Sequence, residues 1–258
     1  MQAESVARQT LTPDAPARAC TRMLPGAIPG ATVYHHVLPG GDAVQFMADP
    51  SFLRILFLCE GAAAFSVAGR TWNFAHKAVF VPAPEQTADV KIVRTARLLE
   101  IRWALLPADR PELAAKAEQF PLAQAYADAL QYRDPFKSEK TISRAILPHR
   151  LLPRFAMGSV ETYADDLIGQ HEHPLLDQFF FSFPENRMTL LIDDLRLPMG
   201  PDTLLHVPLG SNHGVSVTGD EVAHYLWIDF IPDPEKGNAY LDAVHKPTGE
   251  QRSFGGKP

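Results

Sequence analysis

The chain has 258 residues, 46% of them hydrophobic and 21% charged, and its formal net charge is -6. It is long enough for one large domain or two smaller ones, and it is too apolar for global disorder. The acidic balance gives no basic face for nucleic-acid binding. No uninterrupted apolar run approaches the roughly 18 residues of a membrane span.

The N-terminal residues and the cysteines indicate the cellular compartment. Residues 1–24 contain charged side chains and no apolar core, so no secretory signal is expected. Cys20 and Cys59 are the only cysteines, and they provide neither a disulfide framework nor a CxxC metal motif. We therefore expect a cytoplasmic protein, and the charge and hydropathy given above exclude a nucleic acid or a membrane as its partner.

The first half of the chain contains many short segments with the composition of β-strands. Residues 1–30 are polar, lack clear periodicity and are predicted to form an N-terminal arm. Residues 31–105 contain runs such as ATVYHHVL, LRILFLCEG and ARLLEIRWALL. Each run is bounded by Gly, Pro, Asp or a charged pair, which is typical of a β sandwich or barrel.

A change of composition separates this half from the second. In residues 106–140 Ala, Leu and Glu dominate, which predicts a helical linker that Pro121 splits in two. Strand-type runs resume over residues 141–232, including LDQFFFSF, DTLLHVPLG and EVAHYLWIDFIP. Residues 233–258 are predicted to form a polar C-terminal tail with a short helix at AYLDAVHK.

The two β halves resemble one another. The segment KAVFVPAPEQTADVKI aligns with DTLLHVPLGSNHGVSV, so that Pro82 matches Pro208, 126 residues later. A second pair, FLCEGAAAFSVAG and FSFPENRMTLLID, aligns at nearly the same spacing. A repeat of this length indicates a duplicated β domain rather than a solenoid.

Two histidine-containing segments of the second half carry candidate chemistry. His171 and His173 are two positions apart, so on a strand both imidazoles can reach one point. Gln178 begins the next predicted strand, and His213 follows a Pro-x-Gly turn. A closed barrel brings such inward faces together. Three imidazoles and one side-chain oxygen are suitable ligands for a first-row divalent metal.

The pattern HxH-x4-Q, followed by PxGxxH, resembles the two-part motif of the cupin superfamily. The resemblance implies an all-β fold of two tandem double-stranded β-helix (jelly-roll, cupin) barrels with a short helical linker, called a bicupin. It implies one divalent transition metal per chain (Fe, Mn, Ni or Zn), held by His171, His173, Gln178 and His213. The corresponding positions in residues 31–105 are Phe46, Ala48, Leu53 and Thr87, so that barrel is expected to be degenerate and without metal ligands.

The fourth ligand departs from the family pattern, which has Glu where this chain has Gln178. Asp177, one position earlier, is the alternative ligand. With Gln178, three imidazoles and one amide leave the charge of the metal uncompensated, which favours Lewis-acid chemistry on an anionic substrate over redox cycling. The same His-His-Gln-His set is similar to that of small cupins that open the ring of unsaturated uronates.

Three functions follow from these ligand sets. The preferred one is a metal-dependent enzyme performing non-redox chemistry (isomerase, lyase or hydrolase) on a small carboxylated or sugar-derived metabolite. The second is an Fe(II)-dependent cupin dioxygenase, favoured if Asp177 is the ligand. The third is a non-catalytic metabolite-binding cupin. A transcription regulator is not expected, because no helix-turn-helix pattern follows either barrel.

Several side chains outside the ligand set have open roles. His206, His224 and Asp229 are catalytic candidates, with ordinary barrel wall as the alternative for each. His206 faces either the pocket or solvent, and either face of AHYLWIDF can point inward. The adjacent pair His35-His36 is expected at the surface. The stripe Phe179, Phe181 and Phe183 is expected to pack between sheets or across a homodimer.

Overall fold

The computed structural model describes residues 6–11 and 18–253. These residues divide into two compact units, an N-terminal unit of residues 18–128 and a C-terminal unit that combines residues 6–11 with residues 129–253. The expected arm over residues 1–30 is corrected in its described part, because two strands there pair in sheets. Strand β1 (Arg8–Thr10) belongs to the C-terminal unit, and β2 (Ala19–Met23) belongs to the N-terminal unit.

The N-terminal unit contains one antiparallel sheet of eight strands. After β2 its strands are β3 (Ala31–Leu38), β4 (Ala43–Phe46), β5 (Phe52–Val67), β6 (Arg70–Phe74), β7 (Ala78–Val81), β8 (Ala88–Ala104) and β9 (Leu122–Ala125). Their order is β2-β3-β8-β5-β7-β9, with β4 paired to β8 and β6 paired to β5.

The two longest strands of this sheet, β5 and β8, bend around the core of the N-terminal unit. Their register shifts around Gly61, which has a φ of +98°. A Cβ at Gly61 would collide with the backbone of Thr95 and Ala96, so the bulge requires glycine. The enclosed core includes Leu56, Leu58, Phe65, Phe80, Val90 and Leu98.

Helical structure in the expected linker, residues 106–140, is shorter than the sequence predicts. It is limited to α1 (Arg110–Ala115) and to 3-10 turns at Pro107–Asp109, Ala117–Gln119 and Tyr126–Asp128. Strand β9 pairs with β7, and strand β10 (Leu130–Arg133) pairs within the C-terminal unit. The prediction is corrected because sheet pairing outweighs the high intrinsic helix propensity of Leu, Ala and Gln in these short segments, a preference of less than about 1 kcal/mol per residue.

The C-terminal unit contains two antiparallel sheets. Its strands after β10 are β11 (Ile142–Leu152), β12 (Phe155–Tyr163), β13 (Asp166–Glu172), β14 (Asp177–Ser182), β15 (Met188–Ile192), β16 (Leu195–Met199), β17 (Thr203–Val207), β18 (Asn212–Val217), β19 (Val222–Phe230) and β20 (Lys246–Pro247). The eight-stranded sheet has the order β1-β17-β14-β19-β12-β11-β10-β20, and the four-stranded sheet has the order β13-β18-β15-β16.

Apolar side chains from both sheets form one core in the C-terminal unit. They include Ile168, Leu190, Leu197 and Val215 from the four-stranded sheet, and Phe180, Leu205, Val207 and Trp227 from the eight-stranded sheet. Because strand side chains alternate, the inward positions of Phe180 and Val215 also turn Gln178 and His213 inward. The space between the sheets is therefore where the predicted ligands meet.

The C-terminal segment contains a longer helix than the sequence predicts. Helix α2 (Pro234–Val244) begins where the Asp233 side chain accepts a hydrogen bond from the Lys236 N–H at 3.1 Å, an arrangement that caps a helix start. Leu241 of α2 is buried in the core. In the part of the chain that the structure describes, no helix has the length and hydropathy needed to cross a membrane.

Candidate metal centre

Three histidine side chains converge in the interior of the C-terminal unit. His171 on β13 and His213 on β18 are cross-strand partners, and His173 follows the end of β13. One ring nitrogen of each lies within 4.8 Å of the others. The spacing His-x-His thus brings two imidazoles to the third, as strand alternation predicts.

Backbone carbonyls orient two of the three imidazoles. His171 Nδ1 lies 2.7 Å from the Gly169 carbonyl oxygen, and His213 Nδ1 lies 3.1 Å from that of Ser211. A carbonyl only accepts hydrogen bonds, so each Nδ1 carries the hydrogen and leaves the Nε2 lone pair free. Such tethering fixes both the tautomer and the ring direction of a histidine that binds a metal.

Burial keeps all three imidazoles neutral at pH 7. It lowers the pKa of His213 to about 3, with a further contribution from His171. The pKa of His173 falls well below its usual value because of burial and the neighbouring His213. Burial also lowers the pKa of His171, against the opposing effect of its hydrogen bond to Gly169. Neutral imidazole is the form that coordinates metals.

Gln178 supplies an oxygen atom without a partner to the same pocket. Its side chain is buried, and its Nε2 donates to Asp229 Oδ1 at 2.6 Å. Among the described residues, Gln178 Oε1 and His173 Nδ1 are buried polar atoms with no hydrogen-bond partner. An unsatisfied buried acceptor costs about 1–3 kcal/mol. Three imidazoles and this oxygen therefore fit a divalent transition metal.

Asp177, the alternative fourth ligand, faces away from the three histidines. Its Oδ1 lies 2.7 Å from His206 Nε2, and the His206 ring packs against Phe179 at 5.7 Å between centroids. Neither Asp177 nor His206 lines the pocket that holds Gln178. Adjacent strand residues point to opposite faces, so an inward Gln178 requires an outward Asp177. The alternative in which His206 faces the pocket is therefore corrected as well.

The variant Asp177→Asn is expected to bind divalent metal within about twofold of the wild-type affinity. The contact with His206 that it alters is partly exposed, so the free energy of unfolding should fall by less than about 1 kcal/mol. Titration against a chelating dye measures the affinity, and urea denaturation measures the stability. A tenfold or larger loss of affinity would place Asp177 among the ligands.

His224 also lies away from the pocket, which corrects its candidacy as an acid or base at the metal. Its Nε2 is 3.1 Å from Glu161 Oε1, its Nδ1 contacts Glu185, and its ring packs on Phe183. On β19 the inward face is instead Tyr225, Trp227 and Asp229, all of which line the pocket. Burial raises the pKa of Asp229 to about 7, although the hydrogen bond from Gln178 opposes the shift.

The pocket is also lined by side chains that no sequence motif indicates. Its volume is about 40 Å³, enough for roughly three water-sized groups. The additional lining residues include Tyr132, Asp134, Phe136, Lys137 and His245. They come from segments interpreted as linker and tail, so the only available signal was the clustering of aromatic and charged residues in QYRDPFK.

Three contacts show how this segment supports the site. The Phe136 ring stacks on His171, with 4.1 Å between centroids and 5° between planes. Lys137 forms an ion pair with Asp134, and its Nζ lies 3.3 Å from the Tyr132 hydroxyl. The segment therefore packs one candidate ligand in place and brings an ammonium group to the pocket wall.

Comparisons with known proteins identify the architecture. No family model matches the sequence, and no curated protein is similar to it. An IolB-like protein from Salmonella typhimurium LT2 has a TM-score of 0.69 at 15% identity, over 92% of this chain and 99% of that chain. An oxalate decarboxylase from Lactobacillus farciminis, in a formate complex, has a TM-score of 0.65 at 11% identity, over 89% and 85% of the two chains. A cupin 2 conserved barrel domain protein from Leptotrichia buccalis has a TM-score of 0.59 at 13% identity, over 85% and 92%. The chain has the cupin fold.

The predicted fold class, two tandem cupin barrels in an all-β chain, is confirmed. Phe179, Phe181 and Phe183 are buried within the single chain, which agrees with packing between sheets, the first of the two expected alternatives. One expectation about the surface is corrected. His35 and His36 are buried in the N-terminal cupin barrel rather than exposed.

Proposed function

We propose that the C-terminal cupin barrel holds one divalent transition metal (Fe, Mn, Ni or Zn) on His171, His173, Gln178 and His213. We further propose that the chain is an enzyme performing non-redox chemistry, as an isomerase, lyase or hydrolase, on a small carboxylated or sugar-derived metabolite. The observation that carries this proposal is the convergence of three neutral imidazoles and the unpartnered Gln178 Oε1 in one pocket.

The charge of the ligand set favours this reaction class. Three neutral imidazoles and a neutral amide leave a divalent ion with its full charge, so a bound metal supplies Lewis-acid polarisation of a substrate carbonyl. The anionic alternative, Asp177, is engaged with His206 outside the pocket. This removes the argument that favoured the Fe(II) dioxygenase.

The protein groups around the ligands have separate roles in this proposal. Asp229 accepts the hydrogen bond from Gln178 Nε2 and thereby directs Oε1 into the pocket, so it is a positioning residue. Lys137 provides a cation for a substrate carboxylate. The ion pair between Lys137 and Asp134 at the wall places a proton donor beside a proton acceptor. Such groups favour an enzyme over a non-catalytic binding module.

A turnover assay tests the proposed function. Protein reconstituted with each metal in turn is incubated with uronates, other sugar acids and keto acids, and products are followed by NMR with an oxygen electrode in parallel. We expect metal-dependent conversion without O₂ uptake, lost in His171→Ala and retained in His206→Ala. O₂ uptake with iron would support the dioxygenase instead, and binding of a tested acid without turnover would support the binding module.

Lys137→Met is expected to weaken the binding of a small hydroxy acid such as glycolate by about tenfold or more, because it removes a charge-assisted hydrogen bond worth about 1.5–3 kcal/mol. The absorption spectrum of the Co²⁺-loaded protein reports the binding. Lys140→Met is the matched control, since Lys140 bonds the Asp165 carbonyl and does not line the pocket. Equal affinities of the Lys137 variant and the wild type would show that Lys137 does not bind the carboxylate.

A further inference from the structure

The N-terminal cupin barrel contains a cavity lined by charged side chains. Its volume is about 400 Å³, within the usual range for small-molecule sites. Its walls include His36, Arg54, Glu100, Arg102, Phe46 and Phe52. Buried arginine and glutamate side chains are uncommon in protein interiors unless they are paired, so the way these four polar groups are paired decides what the cavity can bind.

Glu100 is the centre of the polar network. Its side chain is fully buried, and it accepts hydrogen bonds from Arg54 Nη1, from Arg102 Nε at 2.7 Å and from His36 Nε2 at 3.0 Å. Burial alone would raise the pKa of Glu100, but the hydrogen bonds from His36 and Arg102 and the charge of Arg54 hold it below its usual value. Glu100 is therefore an anion whose oxygens are occupied by protein donors.

The network lies on the inward face of the N-terminal sheet. Arg54 on β5 is the cross-strand partner of Arg102 on β8, just as Gln178 on β14 is the partner of Asp229 on β19. Leu56 and Leu98, two and four positions away on the same strand faces, belong to the barrel core. Arg54 and Arg102 therefore point to the inside of their barrel, as Gln178 and Asp229 do in the C-terminal unit.

Arg102 retains unused hydrogen-bonding capacity. Its guanidinium lies over the rings of Tyr34 and Phe52, at 4.7 and 5.3 Å from their centroids, and its side chain is 35% exposed. Of the three guanidinium nitrogens of Arg102, only Nε has a hydrogen-bond partner among the described residues. Arg54, by contrast, also donates from Nη2 to the Met47 carbonyl at 2.8 Å. The terminal nitrogens of Arg102 form a planar fork suited to a carboxylate.

The charges around the cavity select a singly charged ligand. Arg54 and Arg102 line the cavity together with the carboxylates of Glu100 and Asp49. Asp49 Oδ1 already accepts hydrogen bonds from the Ser51 N–H and hydroxyl. The two carboxylates offset the two guanidinium groups, so the lining has no excess positive charge to compensate a doubly charged phosphate. The aromatic walls Phe46 and Phe52 provide apolar contact area for the rest of a ligand.

We propose that this cavity is a second ligand site, which binds a small organic monocarboxylate through the terminal nitrogens of Arg102 and the aromatic walls. The cavity is lined by an arginine–glutamate–histidine network rather than by a set of metal ligands, so recognition of the carboxylate requires no metal. The site is independent of the reaction proposed for the C-terminal unit.

Calorimetric titration of the full chain with benzoate tests the proposal, with benzamide as the neutral isostere and inorganic phosphate as the competing anion. Experiments use His213→Ala protein and the chelated wild type, so that carboxylate binding to a metal does not contribute. We expect one benzoate per chain, weak or absent binding of benzamide and phosphate, and a loss of roughly tenfold or more in Arg102→Gln.

Two further variants make the result interpretable. Arg70→Gln is the matched control, because Arg70 is exposed beside Trp72 and does not line the cavity. Arg102→Lys keeps the charge next to Glu100 but lacks the planar fork, so it should also lose affinity. It replaces Arg102→Gln as the test if that variant fails to fold. Absent saturable binding in the wild type, equal binding of benzoate and benzamide, or unchanged binding in the folded Arg102 variant would overturn the proposal.

Discussion

His213→Ala is expected to abolish the stabilisation that a divalent metal gives to this protein. In the wild type, metal at about 100 times its dissociation constant should raise the free energy of unfolding by about 2.7 kcal/mol, because binding to the native state alone shifts the equilibrium. His213 is buried beside His171 and His173, so its removal deletes one of three converging imidazoles. The loss in affinity should exceed the 10–100-fold typical of changes around a ligand.

The informative quantity is the metal-dependent increment in Tm, measured with and without Zn²⁺ or Mn²⁺, since the variant also leaves a cavity. His206→Ala is the control, because it removes a partly buried histidine that pairs with Asp177 outside the pocket. The increment should vanish in His213→Ala and persist in His206→Ala. An increment that survives in both variants would mean that the three histidines do not form the metal site.

Gln178→Glu should have two opposite effects, destabilising the metal-free protein and strengthening metal binding. Gln178 Nε2 donates to Asp229 Oδ1 at 2.6 Å, and a glutamate would place two carboxylates at this distance inside the barrel. An uncompensated buried charge costs about 3–5 kcal/mol. A bound cation would offset part of this cost, because the new carboxylate is an anionic ligand.

The destabilisation should depend on pH. Repulsion between the two carboxylates raises their folded-state pKa values above the unfolded ones, as burial already does for Asp229, whose pKa is about 7. The folded state then binds more protons than the unfolded state. The free energy of unfolding therefore falls as pH rises from the unfolded-state pKa values to the folded-state ones. Urea denaturation of the metal-free variant should therefore show a smaller deficit at pH 5 than at pH 7.

Two matched variants test the origin of this effect. Adding Asp229→Asn should restore stability, because the asparagine amide can donate to the new glutamate. Gln170→Glu changes an exposed glutamine on β13 that donates one hydrogen bond to the Asp193 carbonyl at 3.0 Å, so it should change stability by no more than about 1 kcal/mol. If Gln178→Glu were as stable as the wild type without metal, the contact between Gln178 and Asp229 would not exist.

The positions of the candidate ligands could be read from the sequence because each depends on local geometry. His171 and His173 need only the two-residue period of a strand, and His213 needs only the turn before its strand. For Asp177 and Gln178, alternation alone assigns opposite faces. The motif spacing then places Gln178 inward, and the structure has the same arrangement.

The choice between His224 and Asp229 could not be read in the same way. Both faces of β19 carry large apolar side chains, such as Leu226 on one face and Trp227 on the other, and both are buried. A strand that is covered on both sides shows no polar alternation to indicate the inward face. Only its pairing with β14, which sets Asp229 beside Gln178, resolves the question.

Long-range pairing also explains the other differences between the sequence-based predictions and the structure. Phe136 and Lys137 reach the pocket because β10 joins the eight-stranded sheet, which the composition of residues 106–140 does not indicate. His36 is buried because Glu100, distant in sequence, provides its partner. A histidine pair in an isolated strand segment shows no such partner, and exposure is then the default expectation.

Anomalous diffraction from crystals of the metal-reconstituted protein would locate the ion itself. We expect one peak per chain in the C-terminal barrel, bonded to one nitrogen each of His171, His173 and His213 and to Gln178 Oε1, at about 2.0–2.2 Å as for nitrogen and oxygen ligands of zinc. No peak at these residues after reconstitution, or a peak held by Asp177 and His206 instead, would contradict the proposed metal site.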